Sequence, residues 1–352
     1  MPDWTKSMQQ SYEYYVVDPA SMADVQRLDT VKSASFTRDA AAETLGSATI
    51  DVSNSVGETY IRGYLKTIQN GITEKHALGT VLVQTPSSSF GGIIRNVSAD
   101  AYTPLIELKE KRPPIGYTIR KGTNIMAAAY QIVRENARAP VNPVESSYTL
   151  QDDFVADADD TWLSFVIALI KNARYELDLD PTGHILFAPT QEFASLQPVW
   201  TYDDSNSSIL LPEITMNHDL YGIPNVVEVV YSYAGDCKTA VAKNEDENSP
   251  TSIKSRGRVI LYRDTNPSLA GYATQAQVQD YADRLLRALS TIEYTISYTH
   301  AYCPVRVGDC VRFNYSRAGM TNIKAKVISQ NISCGLPCQV SEKAVYTNNL
   351  WR

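Results

Sequence analysis

Hydrophobic and polar residues alternate along the first third of the chain. Segments such as 11–18, 30–39 and 58–68 place an apolar side chain at about every second position and end in polar or turn-forming residues. A period of two is typical of strands with one buried face, and short strands at this spacing favour a barrel or a sandwich. We therefore predict a β-barrel domain over residues 1–112, which ends before the Pro-Pro pair at 113–114.

The pattern takes a helical period in the middle of the chain. A cap at Thr123 or Asn124 can start one helix, and residues 160–173 form a second helical segment. A turn with the sequence Asp-Pro-Thr-Gly at 180–183 then joins two short strands. Residues 113–207 are therefore predicted to be a smaller α/β region inserted after the barrel.

Alternation returns over residues 208–340, which predicts a second antiparallel β-barrel domain. A loop and a helix at about 236–290 interrupt it, and that helix, at 275–290, carries the clearest apolar stripe of the chain. Residues 255–264 are expected to form a strand, and residues 341–352 a C-terminal tail. The chain as a whole is thus predicted to be an α+β protein that is mainly β.

The second β-domain contains a turn that favours glycine. Gly308 lies between strands expected at 305–307 and 310–313. Glycine adopts a positive φ without the steric penalty that a Cβ atom brings. We therefore predict a positive φ at Gly308, and the alternative is an ordinary surface glycine.

Charge and composition restrict the possible functions. The 352 residues include 32 Lys+Arg and 39 Asp+Glu, a net charge of −7, which argues against the broad basic face of a nucleic-acid-binding protein. The densest apolar stretch, 162–170, is far shorter than the roughly 20 residues of a membrane helix, and the N-terminal segment lacks a secretion signal. We therefore expect a soluble protein without membrane insertion. The 22 tyrosines are typical of half-exposed strands and protein interfaces.

The chain lacks the common sequence motifs of catalytic, nucleotide-binding and metal sites, including GxSxG, GxGxxG and HExxH. Cys334 and Cys338 are the only close cysteine pair, and their spacing is not CxxC, so metal binding is not expected there. Structural roles are expected for the isolated histidines His76, His184, His218 and His300. Helix capping, rather than calcium binding, is expected for Asp153, Asp157, Asp159 and Asp160. We predict no catalytic residue, no cofactor and no metal site.

Six features follow one another between about residues 170 and 335. They are the helix and strands around the turn at 180–183, the valine-rich strand introduced by Ile223-Pro-Asn, a polar loop, the Arg-Gly-Arg segment at 256–258, the helix at 275–290, and the pattern of Pro304, Gly308 and Asp309. This order resembles the baseplate-hub family of tailed bacteriophages and related contractile injection particles. In that family the Pro…Gly-Asp pattern opens a hairpin of a barrel.

The resemblance implies a domain architecture, a mode of assembly and a location in the virion. It implies two barrels like those of tail-tube subunits, with smaller α/β pieces between or within them. Three copies would present six barrels in a ring that joins a sixfold tail tube or distal tail protein to a threefold spike, beside other baseplate proteins. DNA would only pass through the channel of this homotrimer. Such a chain would be a non-enzymatic part of the virion, in the tail tip or baseplate, assembled in the host cytoplasm.

Two other functions compete with the hub. A cell-wall-degrading tail enzyme would need an acidic cleft with a carboxyl group of raised pKa, and no carboxylate pair stands out in the sequence. A carbohydrate-binding module would tend to expose tryptophan platforms. The tryptophans are scattered instead, at Trp4, Trp162, Trp200 and Trp351.

Overall fold

Strands dominate the chain, as the alternating pattern predicts. The computed structural model describes residues 2–53, 57–91, 94–218, 220–233, 235–269 and 273–349. Within these ranges the strands are β1 (Gln9–Val17), β2 (Asp24–Arg27), β3 (Val31–Asp39), β4 (Gly46–Val52), β5 (Tyr60–Gln69), β6 (Ile72–Gly91), β7 (Ile94–Tyr102), β8 (Thr118–Ile119), β9 (Phe154–Val155), β10 (Tyr175–Leu179), β11 (Ile185–Pro189), β12 (Pro198–Asp203), β13 (Leu210–His218), β14 (Val226–Tyr233), β15 (Asp236–Lys243), β16 (Leu261–Asp264), β17 (Thr291–Ala301), β18 (Cys310–Tyr315), β19 (Met320–Ser333) and β20 (Gln339–Asn349). The α-helices of the same ranges are α1 (Ile106–Glu110), α2 (Ile125–Asn136), α3 (Trp162–Lys171), α4 (Ile253–Arg256) and α5 (Gln275–Leu289). The predicted class, α+β and mainly β, is confirmed.

Most strands belong to one large sheet. In the described part of the chain its hydrogen-bonded order is β13-β17-β20-β19-β3-β4-β7-β6-β5-β1-β2, with β18 joined to β19 and β12 paired in parallel with β18. The pairs from β19 to β2 are antiparallel. Strands of both predicted barrels lie along this path, and the closure of either set into a tube-like barrel stays a prediction.

The chain divides into two compact units. The first comprises Met1–Ile214 and Tyr298–Ala344, and the second comprises Thr215–Ser297 and Val345–Arg352. Within the first unit, one hydrophobic core joins strands of region 1–112 to helices of region 113–207 through Val17, Tyr60, Leu82, Ile125, Phe165 and Ile170. The α/β region therefore buries its apolar face against the β-region that precedes it. The predicted boundaries at 112, 207 and 340 stay a prediction about domains.

The segment 341–352 is not a tail as far as the structure describes it. Residues 341–349 lie in β20, and 350–352, with Trp351, lie outside the described residues. The reason is that the alternation of the last strands continues here. Val340, Glu342 and Ala344 are buried, and Ser341 and Lys343 between them are exposed.

Side chains at the N-termini fix where the two helices of region 113–207 begin. The Asn124 side chain accepts a hydrogen bond from the Ala127 N–H at 2.9 Å, so Asn124 rather than Thr123 caps α2. For α3 the expected capping by aspartates is wrong, because Thr161 and Ser164 form a reciprocal capping box. Asp160 only supports that box, by accepting a hydrogen bond from Ser164 Oγ at 2.8 Å.

The second unit contains a three-stranded sheet, β15-β14-β16, with α5 packed on one face. Its core contains Val227, Val229, Ala240, Val278, Ala282 and Leu286, so the predicted stripe of α5 is confirmed as buried. The single strand expected at 255–264 is wrong in its first half. There Ser252 caps α4 and Gly257, at φ +63°, ends it, and only Leu261–Asp264 forms a strand.

Two glutamines of α5 cover the outer edge of β15. Gln275 Nε2 donates to the Thr239 carbonyl at 2.8 Å, and Gln279 Nε2 donates to the Val241 carbonyl at 3.1 Å. Residues four apart lie on one helix face, so both amides reach the same strand. Within the described ranges, no helix combines the length and apolar character needed to cross a membrane.

Candidate functional site

The two turns that carry the family resemblance meet in the first unit. Arg306, in the turn between Pro304 and Asp309, donates a hydrogen bond from Nη2 to the Leu179 carbonyl at the end of β10. Its Nη2 also lies 3.9 Å from Asp178 Oδ1. The turn at 180–183 follows directly. Segments about 125 residues apart in sequence thus form one local structure.

A buried arginine docks the turn at 180–183 onto the first β-region. The Arg62 side chain is only 4% exposed, and its Nη2 donates to the carbonyls of Met22 at 2.8 Å and Thr182 at 2.5 Å. Its Nε donates to Thr80 Oγ1 at 2.8 Å, and its Nη1 forms an ion pair with Asp24 at 2.8 Å. The guanidinium group therefore uses all its donors, and it helps to hold the turn in position.

A cavity of about 540 Å³ lies where these turns meet β3 and β6, and we call it the junction cavity. Its lining includes Arg38, Leu78, Thr80, Leu177, Pro181 and Arg306. Burial lowers the pKa of Arg38, and the nearby Arg306 charge lowers it further. The cavity thus combines apolar walls with two guanidinium groups.

A buried polar cluster lies beside this cavity. His300 and Glu342 are both 0% exposed in their side chains, and His300 Nε2 lies 3.2 Å from Glu342 Oε1. Tyr298 and Gln330 donate hydrogen bonds to the same carboxylate. The Gln330 amide oxygen in turn accepts from Arg38 Nη1 at 3.1 Å, which connects the cluster to the cavity.

The cluster carries a charge pair rather than a catalytic base. Burial alone would lower the pKa of His300, but the hydrogen bonds to Cys303 and Glu342 and the Glu342 charge raise it to about 10. His300 is therefore protonated at neutral pH and cannot accept a proton. Cys303 lies near it, with Sγ 3.8 Å from Nδ1, but is 1% exposed. These side chains are shielded from solvent, so their mutual contacts stabilise the fold of the first unit.

The expected structural roles of the other histidines agree with their surroundings where these are described. His184 Nδ1 lies 3.0 Å from Thr182 Oγ1, and the His76 ring packs edge-on against Trp4. The side chain of His218 lies outside the described residues.

Burial acts on the thiols of the close cysteine pair, Cys334 and Cys338. Burial raises the pKa of Cys334 to about 12 and that of Cys338 to about 11, so both stay protonated at neutral pH. Across the described ranges, no three His, Cys, Asp or Glu side chains come together in a way that could hold a metal ion.

The predicted positive φ at Gly308 is confirmed at +96°, although the residues before it, 305–307, do not form a strand. A Cβ built on Gly308 meets no atom within 4 Å, whereas one on Gly183, at φ +90°, would lie 3.0 Å from Met22 Sδ and from Thr80 Cβ. We expect Gly308→Ala to lower the free energy of unfolding by about 1 kcal/mol through backbone strain alone. Gly183→Ala should cost about 2 kcal/mol or more, because a steric clash adds to the strain. Urea unfolding of the two variants checks this order, and equal losses would contradict it.

Solved structures similar in fold to this chain include two tail proteins and a chain of a PdpA–VgrG complex. The tail protein from Neisseria meningitidis MC58 matches with a TM-score of 0.61 at 11% identity, over 97% of this chain and 98% of that one. The 43 kDa tail protein of prophage MuSo2 from Shewanella oneidensis matches with a TM-score of 0.60 at 10% identity, over 95% and 97%. A chain of a PdpA–VgrG complex matches with a TM-score of 0.55 at 9% identity, over 97% and 65%. The resemblance inferred from the sequence is confirmed for the fold.

Comparisons by sequence add nothing to this result. No protein-family model matches the chain, and no curated protein matches it. At identities of 9–11% the shared property is the arrangement of elements, and the roles of the side chains discussed above are argued from this chain.

Sequence reasoning missed the two side chains that organise the site. Arg62 lies in a strand recognised by its alternation, yet nothing in that alternation marks a charged residue as buried. Glu342 lies in the segment taken for a tail. A signal was present for Glu342, because it occupies an apolar position of a period-two pattern.

Proposed function

We propose that this chain is a structural hub of a bacteriophage tail tip or baseplate. The observation that supports it is the fold match with two tail proteins, each covered over at least 95% of both chains. A match of this extent relates the whole architecture and not one common module. The protein would be a virion component without enzymatic activity, assembled in the host cytoplasm.

The finer proposal concerns symmetry and partners. Three copies would form a ring that adapts a sixfold tail tube or distal tail protein to a trimeric spike, together with other baseplate proteins. Closed rings of identical subunits are a common form of soluble assembly. A chain similar to this one occurs in a PdpA–VgrG complex, which supports a partner protein of the tail machinery.

The test is assembly from purified parts. Light scattering should show three copies of the 39.0 kDa chain, either alone or within the complex that forms after addition of tail-tube and spike proteins. Each partner added separately is the control that shows which one drives trimer formation. A chain that stays monomeric with both partners would contradict the hub.

We also expect the trimer not to retain duplex DNA at physiological salt. Three chains of charge −7 carry −21 in total, and retention requires cations that displace phosphate counterions. Within the basic run around α4, Lys254 pairs with Glu247 at 2.6 Å and Arg263 with Glu228 at 2.7 Å. Arg256 donates to the carbonyls of Leu220 and Ile223. Lys254 and Arg263 are thus paired with carboxylates, and the Arg256 guanidinium is held by backbone carbonyls.

A gel shift at about 150 mM salt, beside a basic control protein of similar size, measures this. Submicromolar binding that is lost on replacing Arg256 and Arg258 would mean that the protein holds DNA.

A further inference from the structure

Arg38, Arg306 and Lys326 line the junction cavity, and of these three only Arg306 has a carboxylate within 4 Å among the described residues, Asp178 Oδ1 at 3.9 Å. Arg38 Nη1 and Nη2 donate to neutral acceptors, the Gln330 side chain at 3.1 Å and the Leu78 carbonyl at 2.7 Å. Among the described residues, no carboxylate lies within ion-pair distance of Arg38 or of Lys326, which also lines the cavity. Arg306 Nε is buried without a hydrogen-bond partner in the described ranges. A buried donor in this state is costly unless a ligand accepts from it.

Asp178 pairs with Arg306 inside the cavity, and three other carboxylates of the lining are engaged by neighbouring groups. Asp39 accepts from the Ala41 N–H at 2.9 Å, and Asp180 accepts from Thr182 Oγ1 and the His184 N–H. Glu43 forms an ion pair with Lys109 at 2.8 Å. They shape the rim, but they do not neutralise Arg38 or Lys326.

Size and lining limit what can enter. A volume of about 540 Å³ lies within the range of ligand sites in proteins. Leu78, Leu177 and Pro181 give the walls an apolar character. The acidic rim would repel a polyanion such as duplex DNA. A single carboxylate flanked by apolar groups could instead pair with the guanidinium groups while the apolar groups pack against the walls.

We propose that the junction cavity binds a partner-protein segment in which one carboxylate is flanked by apolar side chains, with the carboxylate on Arg38 and Arg306. The identity of the occupant as a tail partner rests on the proposed function, but the binding chemistry does not. The cavity would be a socket in which the hub holds a neighbouring protein by a short peptide.

The experiment uses the isolated full-length chain and two blocked tripeptides, acetyl-Leu-Glu-Leu-amide and its glutamine counterpart. Calorimetry should show that the glutamate peptide binds about tenfold more tightly, because a charge-assisted pair with arginine replaces neutral hydrogen bonds. Arg306→Gln and Lys326→Gln should each reduce that preference. Lys254→Gln, in the second unit, is the matched control and should leave the preference unchanged.

Several results would overturn the proposal. They are equal binding of the two peptides, a preference that survives in both cavity variants, and no binding up to about 10 mM peptide. Displacement of the glutamate peptide by inorganic phosphate at equal concentration would point to a phosphate site instead. Because the isolated chain is used, failure here is separate from failure to form a trimer or to bind tube and spike.

Discussion

Replacing Glu342 with glutamine should lower the free energy of unfolding by about 3–5 kcal/mol, since it leaves the buried His300 imidazolium without its counterion. An amide at this position also turns one acceptor oxygen into a donor, which faces the hydroxyl of Tyr298 or the amide of Gln330. Urea unfolding at pH 7 measures the loss. Glu245→Gln, at an exposed position, is the control and should change stability by less than about 0.5 kcal/mol. A loss below 1 kcal/mol in Glu342→Gln would contradict a charged pair in the core.

The pair of His300 and Glu342 should make the free energy of unfolding fall as the pH rises above neutrality. The pKa of His300 is raised to about 10 in the folded protein, against about 6.5 in an unfolded chain. The stabilisation is therefore fully present below about pH 6.5 and is lost as the pH rises toward 10. The native protein should become less stable between pH 7 and pH 10, and the Glu342→Gln variant should show a smaller change. Equal pH profiles for both would show that His300 is not the titrating group.

Replacing Arg62 with methionine should lower the free energy of unfolding by about 3–5 kcal/mol, because it removes the ion-pair partner of Asp24 and leaves the carbonyls of Met22 and Thr182 without their donor. The amide of Gly183, which donates to the Asp180 carbonyl, should then exchange faster with solvent deuterium. Arg27→Met is the matched control, because Arg27 lies in the same β-region with 53% of its side chain exposed. Faster exchange in both variants, or in neither, would contradict the docking role of Arg62.

Local features of this fold could be predicted from the sequence, since their causes are local. The cap of α2 at Thr123 or Asn124, the apolar stripe of α5 and the positive φ of Gly308 each depend on residues that are near one another in sequence. Long-range features could not be predicted in this way. The contact of Arg306 with Leu179 spans 127 positions, and no period or spacing signals it.

The order of the motifs along the chain indicated the fold better than the chemistry of any single motif did. It led to the fold class, but not to the cavity that the motifs surround, because side-chain convergence depends on how sheets and turns pack. The aspartates before α3 show the same limit on a smaller scale. Their charge favours a helix N-terminus, yet the shorter Thr161 and Ser164 side chains fit the geometry of the cap.

Gln275 and Gln279 of α5 occupy part of the outer edge of β15, where a strand of another chain could otherwise pair. Unpaired strand edges invite other chains to add by hydrogen bonding, and this is a main route to aggregation. Gln275 and Gln279 satisfy the outward carbonyls of Thr239 and Val241 with uncharged amides from the same molecule. A strand of another copy would therefore have to displace these two amides before it could pair with the carbonyls of Thr239 and Val241.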